Sequence, residues 1–247
     1  MTVPTVLKLG GSVITEKDRA ETLDGDALDA AADAVAGAEG DLVLVHGGGS
    51  FGHHHAEEHG VTTGAGTRDA DGVLAIHGAM QTLNQFVVSR LRARDVPAVP
   101  VHPFSACARD EAGDLSMPMA PAATMVGEGF VPVLHGDVVA HAGKGATIVS
   151  GDELVVRLAE GLGAERVGLC STVPGVLDED GAVIPEIHSF ADAAAALGGS
   201  DATDVTGGMA AKVRALLELD SPAHVFGPDD LAAFLAGEDP GTRIERA

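Results

Sequence analysis

The sequence predicts an α/β protein built on a mainly parallel sheet with helices on both faces. Short apolar runs of strand length alternate with longer stretches whose apolar residues recur at three and four, and that strand–helix–strand rhythm buries a parallel sheet on both sides. No internal repeat, low-complexity tract or linker interrupts the rhythm. The 247 residues therefore read as one domain, large enough to bury a full core without disulfides or metals.

In chain order, TVLKLGG (5–11) is the first strand, an apolar run closed by a glycine pair, and DGDALDAAADAVAGA (24–38) is the first helix. DLVLVHGGG (41–49) is the second strand, and DGVLAIHGAMQTLNQFVVSRLRA (71–93) is a long helix. VPAVPVHP (96–103) and FVPVLHGD (130–137) are further strands. GDVVAHAGKGATIV (136–149) places two β-rich runs around a glycine-containing turn and predicts a hairpin. DELVVRLAEGLG (152–163) returns to helical spacing, RVGLCS (166–171) is a strand, and GGMAAKVRALLELD (207–220) is a helix. HVFGP (224–228) and DDLAAFLAG (229–237) close the pattern as a strand and a short helix.

Thirty-seven acidic residues against 15 Lys and Arg leave a formal charge of −22, which argues against nucleic acid or anionic membrane as a partner. Self-repulsion on this scale destabilises a compact state at ordinary ionic strength, whereas molar salt shrinks the Debye length to about 3 Å and removes most of it. The composition therefore suits a salt-loving cytoplasm. No apolar run approaches the roughly 20 residues that span a bilayer, and MTVPTVLKLGGSVI carries neither a basic leader nor a small-residue cleavage site. Cys107 and Cys170 lie far apart and read as small buried hydrophobes in a reducing compartment. The expected location is the cytoplasm.

Ligands of open parallel sheets collect at the carboxyl ends of the strands, and glycine-rich turns sit there: LGGS (9–12), HGGGSFG (46–52) and VSGD (149–152) follow strands, and VTGGM (205–209) opens a helix. Glycine lets backbone approach a ligand, and amides at a helix start attract anions, so four such turns point to a polyphosphate site. The chain has four lysines, and three of them adjoin these turns: Lys8, Lys17 and Lys212; Lys144 falls in the hairpin turn. Lys8 is embedded in an apolar strand, where an unpaired ammonium is costly, so it wants an anion. Neither GxxxxGK[ST] nor the HRD and DFG pair of protein kinases occurs.

KLGGSVIT, HGGGSFGH, HGD (135–137), SGD (150–152) and DVTGGMAAK (204–212) occur in this order, and with them the chain resembles the amino acid kinase superfamily, specifically the isopentenyl phosphate kinases, from residue 5 to about residue 230. The resemblance implies a three-layer αβα sandwich that forms a homodimer. Within the single domain it implies a substrate-binding lobe over about 1–150 and a nucleotide-binding lobe over about 151–247. The implied reaction uses ATP and Mg2+ to convert isopentenyl phosphate into isopentenyl diphosphate for isoprenoid biosynthesis. By position, Lys8, Gly10, Gly11 and Ser12 would cradle the transferring phosphates, and Lys17 would stabilise the transition state. Gly48 and Gly49 would supply amides, His53 would bond the acceptor phosphate and Gly151 would contact substrate. Asp152 would orient Lys8 and Lys212, with Lys212 and Gly208 at the ATP. Relatives carry TDVDGV where this chain has STVPGV (171–176); Thr172 and Gly175 remain as nucleotide contacts, while Thr172 and Pro174 replace two aspartates and put the base and ribose contacts in question.

A phosphate monoester is already an anionic nucleophile near pH 7, with a second pKa of about 6, so charge neutralisation and in-line positioning dominate the chemistry. A short prenyl tail needs an apolar slot. Val73, Ile76 and Met80 on helix 72–90, with Ile148 and Val149 before the SGD turn, are the candidates. Burying about five carbons at roughly 0.8 kcal/mol each supplies about 4 kcal/mol. The alternatives are other kinases of the superfamily, acting on acetylglutamate, uridylate, glutamate, aspartate or fosfomycin, and a non-catalytic nucleotide-binding or oxyanion-storage relative. HHAEEH also satisfies the HxxEH zinc-peptidase pattern through His55, Glu58 and His59, although the GGGSFG turn already accounts for a helix starting there. No metal ligand is assigned on the sequence, and His54, His55 and His59 are expected to be solvated.

Overall fold

The computed structural model describes residues 4–197 and 208–246. Twelve strands occur among them: β1 (Thr5–Leu9), β2 (Leu42–His46), β3 (Ala98–Pro100), β4 (Ala108–Arg109), β5 (Leu115–Ser116), β6 (Val131–His135), β7 (Asp137–His141), β8 (Gly145–Val149), β9 (Arg166–Cys170), β10 (Glu186–Ile187), β11 (Ala223–Phe226) and β12 (Thr242–Ile244). Eight form the main sheet in the order β10-β12-β11-β9-β1-β2-β6-β3; every pair is parallel except β11 with β12. The predicted hairpin is β7–β8, and with β4 and β5 it makes a separate four-stranded sheet.

The helices are α1 (Gly11–Ile14), α2 (Gly25–Ala36), α3 (Gly49–Glu58), α4 (Ala70–Arg92), α5 (Pro103–Ala106), α6 (Ala120–Gly127), α7 (Gly151–Leu162), α8 (Ala194–Leu197), α9 (Gly208–Leu216) and α10 (Leu231–Leu235). They cover both faces. Leu28, Ala31, Ala32 and Val35 of α2 and Leu83, Val87 and Leu91 of α4 pack on Leu7, Leu9 and Leu44, while Leu154, Val155 and Leu158 of α7 and Val213 and Leu216 of α9 pack on Val6, Val45 and Val167. The result is the three-layer αβα sandwich. A third, smaller cluster joins Ala56, Val61, Ile76, Val138 and Ala146 beneath the hairpin.

Helices α2, α4, α7, α9 and α10 and eight strands follow the alternation read from the sequence. The strands without a sequence signal, β4, β5, β10 and β12, have two or three residues, too few for a period to register. Helix α6 (APAATMVG) was also missed, because its small apolar residues cluster rather than recur at three and four. No helix among the described residues is long and apolar enough to cross a membrane. Cys107 and Cys170 are buried, and burial pushes their thiols up to about 11 and about 12.

Candidate active site

Side chains alternate along a strand, so Lys8 shares the face of Val6, the face that carries α7. It stands one residue short of the carboxyl end of β1, and its ammonium therefore emerges beside the first turn of α7. There it meets Asp152, with Nζ 2.7 Å from Oδ1. Burial opposes ionisation of Asp152, but the charges of Lys8 and Lys212 outweigh it and hold the carboxyl below the usual range. Two lysines 204 positions apart thus act on one carboxylate. The first turn of α7 is itself set by Ser150, whose hydroxyl accepts from the Glu153 N–H at 3.1 Å.

The strand ends open on one cavity of about 720 Å3. Lys8, Gly10, Gly11, Ser12, Lys17, Gly48, Gly49, His53, Gly151, Asp152, Thr172 and Lys212 line it, and Ile76, Met80, Ile148 and Val149 supply apolar wall. The lysine outside it is Lys144, which donates to the Gly64 carbonyl from the hairpin turn.

The glycines are explained partly by contact between turns. A Cβ on Gly11 would lie 2.1 Å from the Gly49 nitrogen, and one on Gly47 would lie 2.6 Å from the Gly11 nitrogen, so the first two glycine turns pack backbone on backbone. Gly49 also has φ +50, a conformation that favours glycine. Thr15 latches the pair: its hydroxyl accepts from the Ser50 N–H at 3.0 Å and donates to the Gly11 carbonyl at 2.9 Å. Ser50 in turn donates to the Thr22 carbonyl and accepts the Glu21 N–H through its own carbonyl, which ties the segment carrying Lys17 to α3. At Gly151 a Cβ would lie 3.1 Å from Lys8 Cε, so glycine there leaves room for the lysine stem.

Three predicted residues do not line the cavity. Val73 packs one layer behind it, against the cluster of Ile76 and Val138. Gly175 is buried, and a Cβ on it would lie 2.7 Å from both Thr242 Oγ1 and Val183 Cγ1, so close packing by itself requires glycine there. Gly208 starts α9 away from the lining, and residues 204–207 of the DVTGGMAAK motif lie outside the described residues. The HxxEH reading is also corrected. Helix α3 ends at Glu58, so His59 is its C-cap and packs over Gly72 instead of joining His55 on a helical face. His55 is not solvated; its side chain is 20% exposed and its Nε2 lies 2.5 Å from Glu21 Oε1.

The profile of the amino acid kinase family matches residues 4–221. The chain belongs to the amino acid kinase family. Within it, the chain is 69% identical over 241 residues to the isopentenyl phosphate kinase of Haloferax volcanii, covering 97% of each chain. It is 35% identical over 262 residues to the isopentenyl phosphate kinase of Methanothermobacter thermautotrophicus, with 97% and 98% covered. A solved isopentenyl phosphate kinase structure superposes with a TM-score of 0.83 at 30% identity, over 97% of this chain and 99% of that one. The chain therefore groups with the isopentenyl phosphate kinases of the amino acid kinase family.

This amino acid kinase also carries site residues that the sequence did not single out. His46 and His135 end neighbouring parallel strands in register and stack at 5.5 Å between centroids, directly under the turns of Gly47 and Gly136. Each Nδ1–H donates to the next residue's carbonyl, His46 to Gly47 at 3.1 Å and His135 to Gly136 at 3.0 Å, and His135 Nε2 accepts from His102 Nδ1–H at 2.9 Å. Burial lowers His46 to about 4 and His135 well below its ordinary value, so both rings are neutral props at pH 7. Asp137 accepts from His77 Nδ1–H at 2.8 Å and from the Val138 N–H; burial raises its pKa against these bonds. Arg109 clamps Glu153, Nη1 to Oε1 at 2.7 Å and Nη2 to Oε2 at 2.5 Å, and also donates to the carbonyls of Ile148 and Gly113. That bidentate pair bolts the small sheet to the start of α7, one residue from Asp152. The HGG and HGD motifs could have drawn attention to the two histidines; nothing local marks Arg109.

Proposed function

We propose that this protein transfers the γ-phosphoryl group of ATP to isopentenyl phosphate, giving isopentenyl diphosphate and ADP. The observation that carries the reading is the convergence of Lys8, Lys17 and Lys212, three of only four lysines in a chain of charge −22, with His53 and Asp152 on one cavity that has an apolar wall. A local cluster of cations in so acidic a molecule suits a polyanionic ligand, and Ile76, Met80, Ile148 and Val149 suit a short hydrocarbon tail. The names of the relatives support the same activity.

In this reading an oxygen of the acceptor phosphate attacks the γ-phosphorus, the new P–O bond forms as the bond to the β-phosphate oxygen breaks, and ADP leaves with that oxygen. No base is required, because the attacking phosphate is already ionised. Lys8, fixed by Asp152, and Lys17 neutralise charge on the transferring group, with amides of Gly11, Ser12, Gly48 and Gly49 as its donors; the Gly10 N–H is given to the Cys170 carbonyl at 2.8 Å, so Gly10 serves by leaving room for the phosphates. His53, at the cavity edge, donates to the acceptor phosphate; beside a dianion its imidazolium form is favoured. Lys212 and Thr172 serve the nucleotide.

Two carboxylates at the cavity are committed, the partly buried Asp152 to Lys8 and the buried Asp137 to His77. The residues present therefore fit a Mg2+ held chiefly by the nucleotide's own phosphates, with Ser12 and Ser171 hydroxyls near by. When bound, the ion would neutralise charge between the β- and γ-phosphates. The division of labour is acceptor on the residues before about 150 and nucleotide on those after. A homodimer, a cytoplasmic location and an adaptation to high salt belong to the same reading.

The test is coupled ADP release in molar KCl with isopentenyl phosphate, dimethylallyl phosphate, uridine monophosphate, acetylglutamate and fosfomycin. The expected preference is for isopentenyl phosphate. A higher kcat/KM for acetylglutamate, uridine monophosphate or fosfomycin would replace the assignment with that kinase.

A further inference from the structure

We propose that α3 carries a transition-metal site of the Zn2+ class, formed by His54, His55 and Glu58 at the rim of the active cavity. These residues occupy positions i, i+1 and i+4 of one helix, where the side chain at i+4 stands over both of the others. One donor atom from each lies within 4.8 Å of the other two. Zinc held by nitrogen and oxygen at about 2.0–2.2 Å brings tetrahedral ligands to about 3.4 Å from one another. Rotation of the exposed His54 and Glu58 side chains closes that gap without moving the helix.

A second observation points to a ligand. His55 Nε2 lies 2.5 Å from Glu21 Oε1, and a carboxylate only accepts, so Nε2 holds the proton. Nδ1 is then the ring nitrogen open to a metal. That Nδ1 is enclosed, has no hydrogen-bond partner among the described residues, and lies 3.6 Å from Glu58 Oε2, beyond hydrogen-bond distance. A cation seated between that nitrogen and the Glu58 carboxylate would satisfy both. Carboxylate, histidine and an open Nδ1 in line is the arrangement by which an outer carboxylate orients a metal-ligating imidazole.

Two imidazoles and one carboxylate favour Zn2+, Co2+, Ni2+ or Cu2+ over Mg2+ and K+, which take oxygen cages. Three protein ligands leave one position for water. The site differs from the HxxEH pattern, since His54 replaces His59, and it holds independently of the proposed kinase activity.

The experiment uses the full chain, stripped with chelator and free of nucleotide, in molar KCl at pH 8. Zn2+ is titrated against a chromophoric chelator, and Co2+ is followed by its visible absorption. The expected result is one Zn2+ per chain and a four-coordinate Co2+ spectrum. His55→Ala and Glu58→Gln each weaken binding at least about 10-fold, Glu21→Gln weakens it about 10- to 100-fold, and His59→Ala leaves it unchanged. Absence of stoichiometric binding, binding that survives both His55→Ala and Glu58→Gln, or binding lost in His59→Ala overturns the assignment. Should one variant fold poorly by circular dichroism, the wild-type Co2+ spectrum and the remaining variants still decide it.

Discussion

Replacing Asp152 by Asn removes the charge that Lys8 and Lys212 share while keeping the shape of the side chain. At the observed 2.7 Å, an ion pair in an effective dielectric of about 20 gains about 6 kcal/mol, most of which offsets the desolvation of two ions. Removing one partner of a fully buried pair costs about 3–5 kcal/mol, because the surviving charge is left uncompensated. Side-chain exposures of 11% and 19% place this pair at the low end, at about 3 kcal/mol. In a chain of this size that lowers Tm by about 6–12 °C. Turnover should fall further than stability does, since an ammonium released from its carboxylate no longer stands where charge develops; the loss of a preorganised donor is worth about 10²–10³ in kcat. Thermal melts and ADP release in molar KCl are measured for Asp152→Asn, Lys8→Met and the double variant. The expected double variant is more stable than the sum of the two single losses allows, by at least about 1 kcal/mol. Strict additivity, or an Asp152→Asn protein with parental Tm and kcat, would refute the reasoning.

Other outcomes follow from the same geometry. His53→Ala should reduce kcat by about 10²-fold with little change in Tm, since His53 is exposed at the cavity; near-normal turnover would remove it from the mechanism. His46 is neutral in the fold with a pKa of about 4 against 6.5 ordinarily, so the unfolded chain binds more protons in that window. Stability is complete above pH 6.5 and falls toward pH 4, by about 3 kcal/mol from His46, with His135 adding in the same direction and the raised Asp137 offsetting part. Melts that stay flat from pH 7 to pH 4.5 would contradict that burial effect. A charge of −22 should make Tm rise between low and molar KCl, and a flat or falling curve would dissociate the composition from salt adaptation.

By itself the sequence determined the layered α/β architecture, because helical and strand periods are local and the long elements repeat them often enough to be read. It also marked Lys8, the glycine turns, His53 and Asp152, since each sits in a short motif at the end of a strand or the start of a helix. Tertiary structure alone decided what those residues touch. Gly11 and Gly49 serve each other's packing as much as any ligand, Gly175 serves Thr242 and Val183, and Val73 stands behind the cavity wall. Arg109 with Glu153, His77 with Asp137 and His55 with Glu21 are 44, 60 and 34 positions apart. No period or motif links such partners: a strand or a helix fixes the direction of a side chain, but only the packing of one element on another brings it a companion.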